Sequence, residues 1–181
     1  MHVELVVAVA GALVIVWLVR EIVSRRHSDP HDWMPDDLRT ARLIYAEQLF
    51  RSTGPVAMSA KVDRAYADRR GVVTLVELKT RSVDKVYLSD VIELSAQRHA
   101  LHLQTGEHVS EYGYVVVQRA GPSRPWVHRV KLLADEQFSL IVTRRQRLLM
   151  QAETPEPPRS AALCAYCAYL SECDWRGRWR R

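Results

Sequence analysis

An acid, Asp63, stands fourteen residues ahead of the triplet Glu77-Leu78-Lys79. The triplet follows Val72-Val73-Thr74-Leu75-Val76, a β-branched and apolar run with the turn signal Asp68-Arg69-Arg70-Gly71 before it. Such a run reads as a strand. Side chains alternate faces along a strand, so Glu77 and Lys79 project together and Leu78 points away. Ala60 to Tyr66 supplies the preceding strand, which carries the second acid. Two acids beside an amine can hold a divalent metal next to an ammonium group. That suits phosphodiester hydrolysis: the metal polarises a phosphoryl oxygen and lowers the pKa of bound water, and the lysine helps orient the nucleophile. The triplet taken alone is better read as a solvated strand end with a surface ion pair, since such triplets are common.

The elements around these residues narrow the choice. Tyr87 to Leu101 is compatible with a long helix, with Val91, Leu94 and Leu101 on its apolar face and Gln97 on or beside that face. A glutamine there would point toward the strand end. Tyr112 to Val117 and Trp126 to Val130 read as further strands around the turn Gly121-Pro122-Ser123-Arg124-Pro125. Asp36-Asp37 opens an expected helix over about Leu38 to Arg51, with Leu43, Ala46 and Phe50 on one stripe and Glu47 next to it. Another helix is expected from Ala134 to Met150. Near the end stands Cys164-x2-Cys167-x5-Cys173.

In this order and spacing, the chain from Leu38 to Trp175 resembles the PD-(D/E)XK nuclease superfamily, in particular its RecB-like branch. Its motifs are similar to those of CRISPR-associated RecB-like exonucleases and AddB-type nuclease domains. The resemblance implies an α/β, restriction-endonuclease-like core: a central mixed sheet flanked by helices. It implies that Asp63, Glu77 and the Leu78 backbone carbonyl hold Mg²⁺ or Mn²⁺, that Lys79 orients the attacking water, and that Gln97 positions water or phosphate. Glu47 takes the place of the helix-borne acid that many members use, although an exposed helix glutamate fits its position too. Three departures from the pattern stand out. Ala60 replaces a glycine before the first acid, Leu101 replaces a tyrosine after the glutamine, and the chain has three cysteines where iron–sulfur members have four.

Composition bounds the rest. At 181 residues, with 26% charged and 48% hydrophobic residues, the chain is a globular protein and not a disordered one. Its net charge of +5 is carried almost wholly by arginine, since Lys61, Lys79, Lys85 and Lys131 are its lysines. Arginine forks suit phosphate. Arg144, Arg145 and Arg147, and the tail Arg176-Gly177-Arg178-Trp179-Arg180-Arg181, could grip DNA, or the tail could simply be a solubilising end. Leu5 to Val19 carries no charge and approaches the roughly 17-residue lower limit for a spanning helix. Arg20, Arg25 and Arg26 follow it, so the positive-inside bias puts the rest in the cytoplasm. The expected layout is a single-pass inner-membrane anchor with its basic flank (1–27), a linker (28–37) and a nuclease core (38–152). A Pro-rich linker, cysteine module and basic tail (153–181) complete it. A buried core helix is the alternative for the first segment.

Cysteines in a cytoplasmic protein stay reduced, so a disulfide framework is not expected. Cys164, Cys167 and Cys173 have the spacing of an iron–sulfur or zinc site, incomplete by one ligand. His27, His31 or Asp32 could complete it, or the set could be a metal-free remnant. The functional expectation is a membrane-tethered, metal-dependent deoxyribonuclease. A non-catalytic nucleic-acid-binding or assembly module on the same fold is the alternative, and a membrane-bound iron–sulfur protein a third.

Overall fold

The computed structural model describes residues 14–17, 33–53, 57–121, 123–158 and 160–173. The chain divides into two compact units, Met1–Asp135 and Glu136–Arg181. The first contains a short helix α1 (Asp36–Arg39), then β1 (Arg42–Ser52), β2 (Met58–Ala67), β3 (Val73–Thr80), a long helix α2 (Leu88–Thr105), β4 (Tyr112–Gln118) and β5 (Trp126–Lys131). Helix α3 (Asp135–Leu149) follows, then α4 (Ala161–Ala165) and a 3₁₀ turn at Leu170–Glu172.

The five strands form one sheet in sequence order. All neighbours are antiparallel except β3 and β4, which run parallel and are joined through α2. A parallel pair needs such a crossover. Strand β4 carries the run Val115-Val116-Val117, buried on both faces, as expected of a strand covered on each side. Leu94 and Leu101 of α2 pack on Phe50, Val62, Leu75, Val115 and Val117 of the sheet. On the opposite face Leu38 of α1 packs with Met34, Tyr66, Val76, Tyr114 and Val116. There the Tyr114 hydroxyl donates to the Asp37 carboxylate at 2.9 and 2.8 Å. Burial, together with Asp37, pushes that phenol up to about 12.

Helix α2 starts and stops for local reasons. The Asp90 carboxylate accepts from the Tyr87 amide at 2.8 Å and from Arg81 at 2.9 Å, which satisfies one of the free amides at the helix start. Gly106, with φ of 73°, ends it in the left-handed conformation. Leu94, Gln97 and Leu101, three and four apart, fall on one stripe and are all buried. Ser95 Oγ accepts from the Leu133 amide at 2.9 Å and fastens the helix to the chain beyond β5.

The expected helix from Leu38 to Arg51 is a correction. Only Asp36–Arg39 is helical, and Arg42–Ser52 is an edge strand paired with β2 along its length. Its good helix formers lose to cross-strand pairing, which uses Ile44, Tyr45 and Phe50 against the core under α2. Leu43 and Leu49 are left exposed, so the apolar residues do not form the single buried stripe a helix would need. The other expected elements form with ends shifted by a few residues at most. The 1–27 anchor lies largely outside the described residues, and no helix among those described is long and apolar enough to cross a membrane.

Gly113 is a site of close approach in the sheet. A Cβ there would meet the Leu75 carbonyl at 3.1 Å and the Leu94 and Leu132 side chains at 3.6 Å. Backbone cannot yield as a side-chain tip can, so Gly113→Ala should lower stability by about 1–3 kcal/mol. Chemical denaturation checks this, and a variant as stable as the wild type would show that β4 can shift away from β3.

Candidate active site

The site begins where β2 and β3 part. Their register runs from Ala67↔Val73 to Arg64↔Val76 and ends there, so Asp63 and Glu77 face each other just past the last pair. With no strand partner beyond it, the Leu78 amide donates instead to Asp63 Oδ2 at 2.8 Å. Amide and carbonyl of one strand residue point to the same edge, so the Leu78 carbonyl opens on the Asp63 side. Strand β3 stays anchored on its other edge by β4, from Val76↔Tyr114 to Thr80↔Gln118.

Glu77 is 3% exposed, on the face covered by α2. Its Oε2 accepts from Gln97 Nε2 at 2.6 Å, and its Oε1 holds Lys79 Nζ at 2.6 Å. Lys79 also reaches Glu93 Oε2 at 2.7 Å. Burial pushes the Glu77 carboxyl above its usual range. The hydrogen bonds from Lys79 and Gln97 pull it back without cancelling that effect, and the nearby Asp63 charge pushes it up further. Burial works against the Lys79 ammonium, but its bonds to Glu77 and Glu93 outweigh it and hold the group above the ordinary lysine range. Lys79 therefore stays protonated: it can orient a nucleophile or steady negative charge, and it is no base.

The residue types fit a hard divalent cation, which takes oxygen ligands and keeps much of its water. Asp63, Glu77 and the Leu78 carbonyl are the oxygens at hand. One buried atom is also left open: Gln97 Oε1 finds no hydrogen-bond partner among the described residues. Such an acceptor beside the Glu77 carboxylate can take a hydrogen from water. No group of three or more His, Cys, Asp or Glu side chains among the described residues is gathered for a metal. Any cation here would thus rest on two carboxylates, a carbonyl and water.

The structure joins Lys79 and Gln97 directly to Glu77 and sets Asp63 on the neighbouring Leu78 amide. It adds Glu93, one turn before Gln97 on α2. That residue could have been found by stepping back four positions from the glutamine. Glu47 lies on β1 and not on a helix. Flanked by the pairs Ala46↔Arg64 and Gln48↔Val62 it stands opposite Asp63, its φ is +52°, and its carboxylate pairs with Lys61.

In the second unit, Arg144 and Arg147 pair with Glu153, and Arg144 also with Glu156, so they are not bare phosphate grips. The basic tail from Arg176 lies outside the described residues. Cys164 and Cys173 are half-buried and Cys167 is exposed, all as free thiols. By themselves they make no closed four-ligand centre, and His27, His31 and Asp32 lie outside the described residues.

Two solved structures are similar to this chain to different degrees. SSO0001 aligns at a TM-score of 0.50 and 17% identity, over 93% of this chain and 75% of its own. A protein from Eubacterium rectale, provisionally assigned as an exonuclease, aligns at 0.45 and 14%, over 90% of this chain and 59% of its own. At these identities the first likeness speaks to fold, and the second carries no argument. No curated protein matches the chain. The family model of the PD-(D/E)XK nuclease superfamily matches residues 13–174, nearly the whole chain, and with the acid–acid–lysine set at the splayed strand ends this chain belongs to that superfamily.

Proposed function

We propose that the protein is a metal-dependent deoxyribonuclease of the RecB-like exonuclease type. One observation carries the reading: a buried acid, Glu77, shares its carboxylate between Lys79 and Gln97 while facing Asp63 across the gap between β2 and β3. A binding module has no need of such an arrangement, and burying these charges is costly without a use. Asp63, Glu77 and the Leu78 carbonyl would hold Mg²⁺ or Mn²⁺, which when bound polarises the phosphoryl oxygen and makes water a stronger nucleophile. Lys79 orients the attacking water and steadies the charge that builds on the phosphate. Gln97 fixes the Glu77 carboxylate with its amide and offers its free oxygen to a water. Glu47 is a further candidate ligand only if its carboxylate leaves Lys61.

Purified protein should degrade DNA with Mg²⁺ or Mn²⁺ and stop with chelator. Glu77→Ala or Lys79→Ala should lower the rate by about a hundredfold or more, with DNA binding retained. Equal inertness of wild type and both variants across divalent metals would leave a non-catalytic nucleic-acid-binding module in place of the enzyme.

A second expectation concerns acidity. A carboxyl whose folded-state pKa is raised gives stability that is present below its unfolded pKa and lost as pH rises through the folded value. Metal-free protein should therefore lose stability from about pH 4 upward through the Glu77 titration. Glu77→Gln should flatten this slope, and Mn²⁺ should restore stability to wild type at the upper end. Melting curves against pH with and without Mn²⁺ read it directly; an identical slope in Glu77→Gln would assign the effect elsewhere.

Two outlying segments complete the proposal. The uncharged run Leu5 to Val19 would attach the protein to the inner membrane with the nuclease unit in the cytoplasm. The cysteines would form an iron–sulfur centre, or less favourably a zinc site, with a ligand from outside the described residues. Full-length protein should resist carbonate extraction from membranes and, purified anaerobically, contain iron and sulfide. Soluble, metal-free protein would remove both.

A further inference from the structure

Lys79 sits between two carboxylates, at 2.6 Å from Glu77 and 2.7 Å from Glu93. Its side chain is 24% exposed and that of Glu93 48% exposed, so the outer pair is partly shielded from water. Helix α2 delivers Glu93 and Gln97 from consecutive turns, one to the lysine and one to the acid that the lysine holds. Two carboxylates, Glu77 and Glu93, thus hold one ammonium, while Asp63 faces Glu77 and takes the Leu78 amide.

The arrangement contains a conflict that Glu93 resolves. Glu77 Oε1 bonds Lys79, and the proposed function also asks the Glu77 carboxylate to serve a divalent cation. Two cations cannot both draw on one oxygen without mutual repulsion. A lysine tethered to Glu77 alone would either block the metal or be pushed from the site by it. Glu93 offers a second seat on the solvent side.

We infer that Glu93 is a positioning residue: it retains the Lys79 ammonium at the reaction site and so frees the Glu77 carboxylate for the divalent cation. The inference rests on the metal-dependent reading of the site. It differs from a merely structural ion pair between α2 and β3, which would hold the fold together and leave metal affinity of the folded protein alone.

The test is a double-mutant cycle on full-length protein, read by Mn²⁺ titration calorimetry beside DNA cleavage. Glu93→Ala should weaken Mn²⁺ binding and lower kcat by about ten- to a hundredfold, the usual cost of losing a residue that orients a metal site, with KM for DNA little changed. Glu93→Gln, which keeps an acceptor and nearly the same shape, should recover part of both losses. In a Lys79→Ala background, most of the Mn²⁺ effect of Glu93→Ala should vanish, because the competitor is gone. Unchanged Mn²⁺ affinity in folded Glu93→Ala and Glu93→Gln overturns the inference. An equal loss with and without Lys79 also overturns it, since Glu93 would then act on the cation directly. Should Mn²⁺ coupling appear as expected while the wild type cleaves nothing, the inference stands and the nuclease reading falls. Cleavage without coupling gives the reverse.

Discussion

Removing the Glu77 carboxylate from water is the constraint around which the remaining structure is arranged. An ionised acid at 3% exposure is stable only with partners at hand. Gln97 supplies one from the face of α2 and Lys79 another from two residues along the same strand. Each partner imposes its own demand. Gln97 must sit in the apolar stripe between Leu94 and Leu101, where a polar side chain is otherwise a liability. Lys79, drawn inward, needs Glu93. The cluster stays net negative, and a divalent cation is the natural complement of that excess.

The strand geometry makes the cluster possible. Antiparallel pairing beyond Arg64↔Val76 would have occupied the Leu78 amide and pressed Asp63 against Glu77. The strands separate instead, Asp63 takes the amide, and the gap between the acids remains open. Parallel pairing with β4 keeps β3 straight through the same residues, so the gap does not loosen its position. Rigid backbone on one edge and free groups on the other is what precise placement of reacting oxygens requires.

Much of this was legible in the residues. Apolar, β-branched runs and turn signals marked β3 to β5, the spacing of Val91, Leu94 and Leu101 marked the apolar face of α2 with Gln97 on or beside it, and the acid–acid–lysine spacing pointed to the site. Strand β1 was not legible. Arg42 to Ser52 contains residues comfortable in a helix, and only the long-range ladder to β2 makes it a strand. Glu47 was misplaced with it, and no local pattern foretold its left-handed backbone opposite Asp63. Glu93 was passed over because a glutamate on a helix reads as solvent-facing until the strand-borne Lys79 is set against it.

The parallel placement of β4 beside β3 bears on the order in which the chain can assemble. Asp63, Glu77, Lys79, Glu93 and Gln97 fall within 35 consecutive residues of β2, β3 and α2. Closing a loop of that size adds little entropy cost over a shorter one. The docking of β4 comes later in the chain and relies on the crossover, helped by the bridge of Val73 to Val109. Topology of this kind argues that the acids are gathered by nearby contacts before the sheet is complete. Their mutual repulsion then opposes the nascent fold while the neighbours that bury it are still absent, so a cation present during folding would act on the pathway as well as on the finished protein.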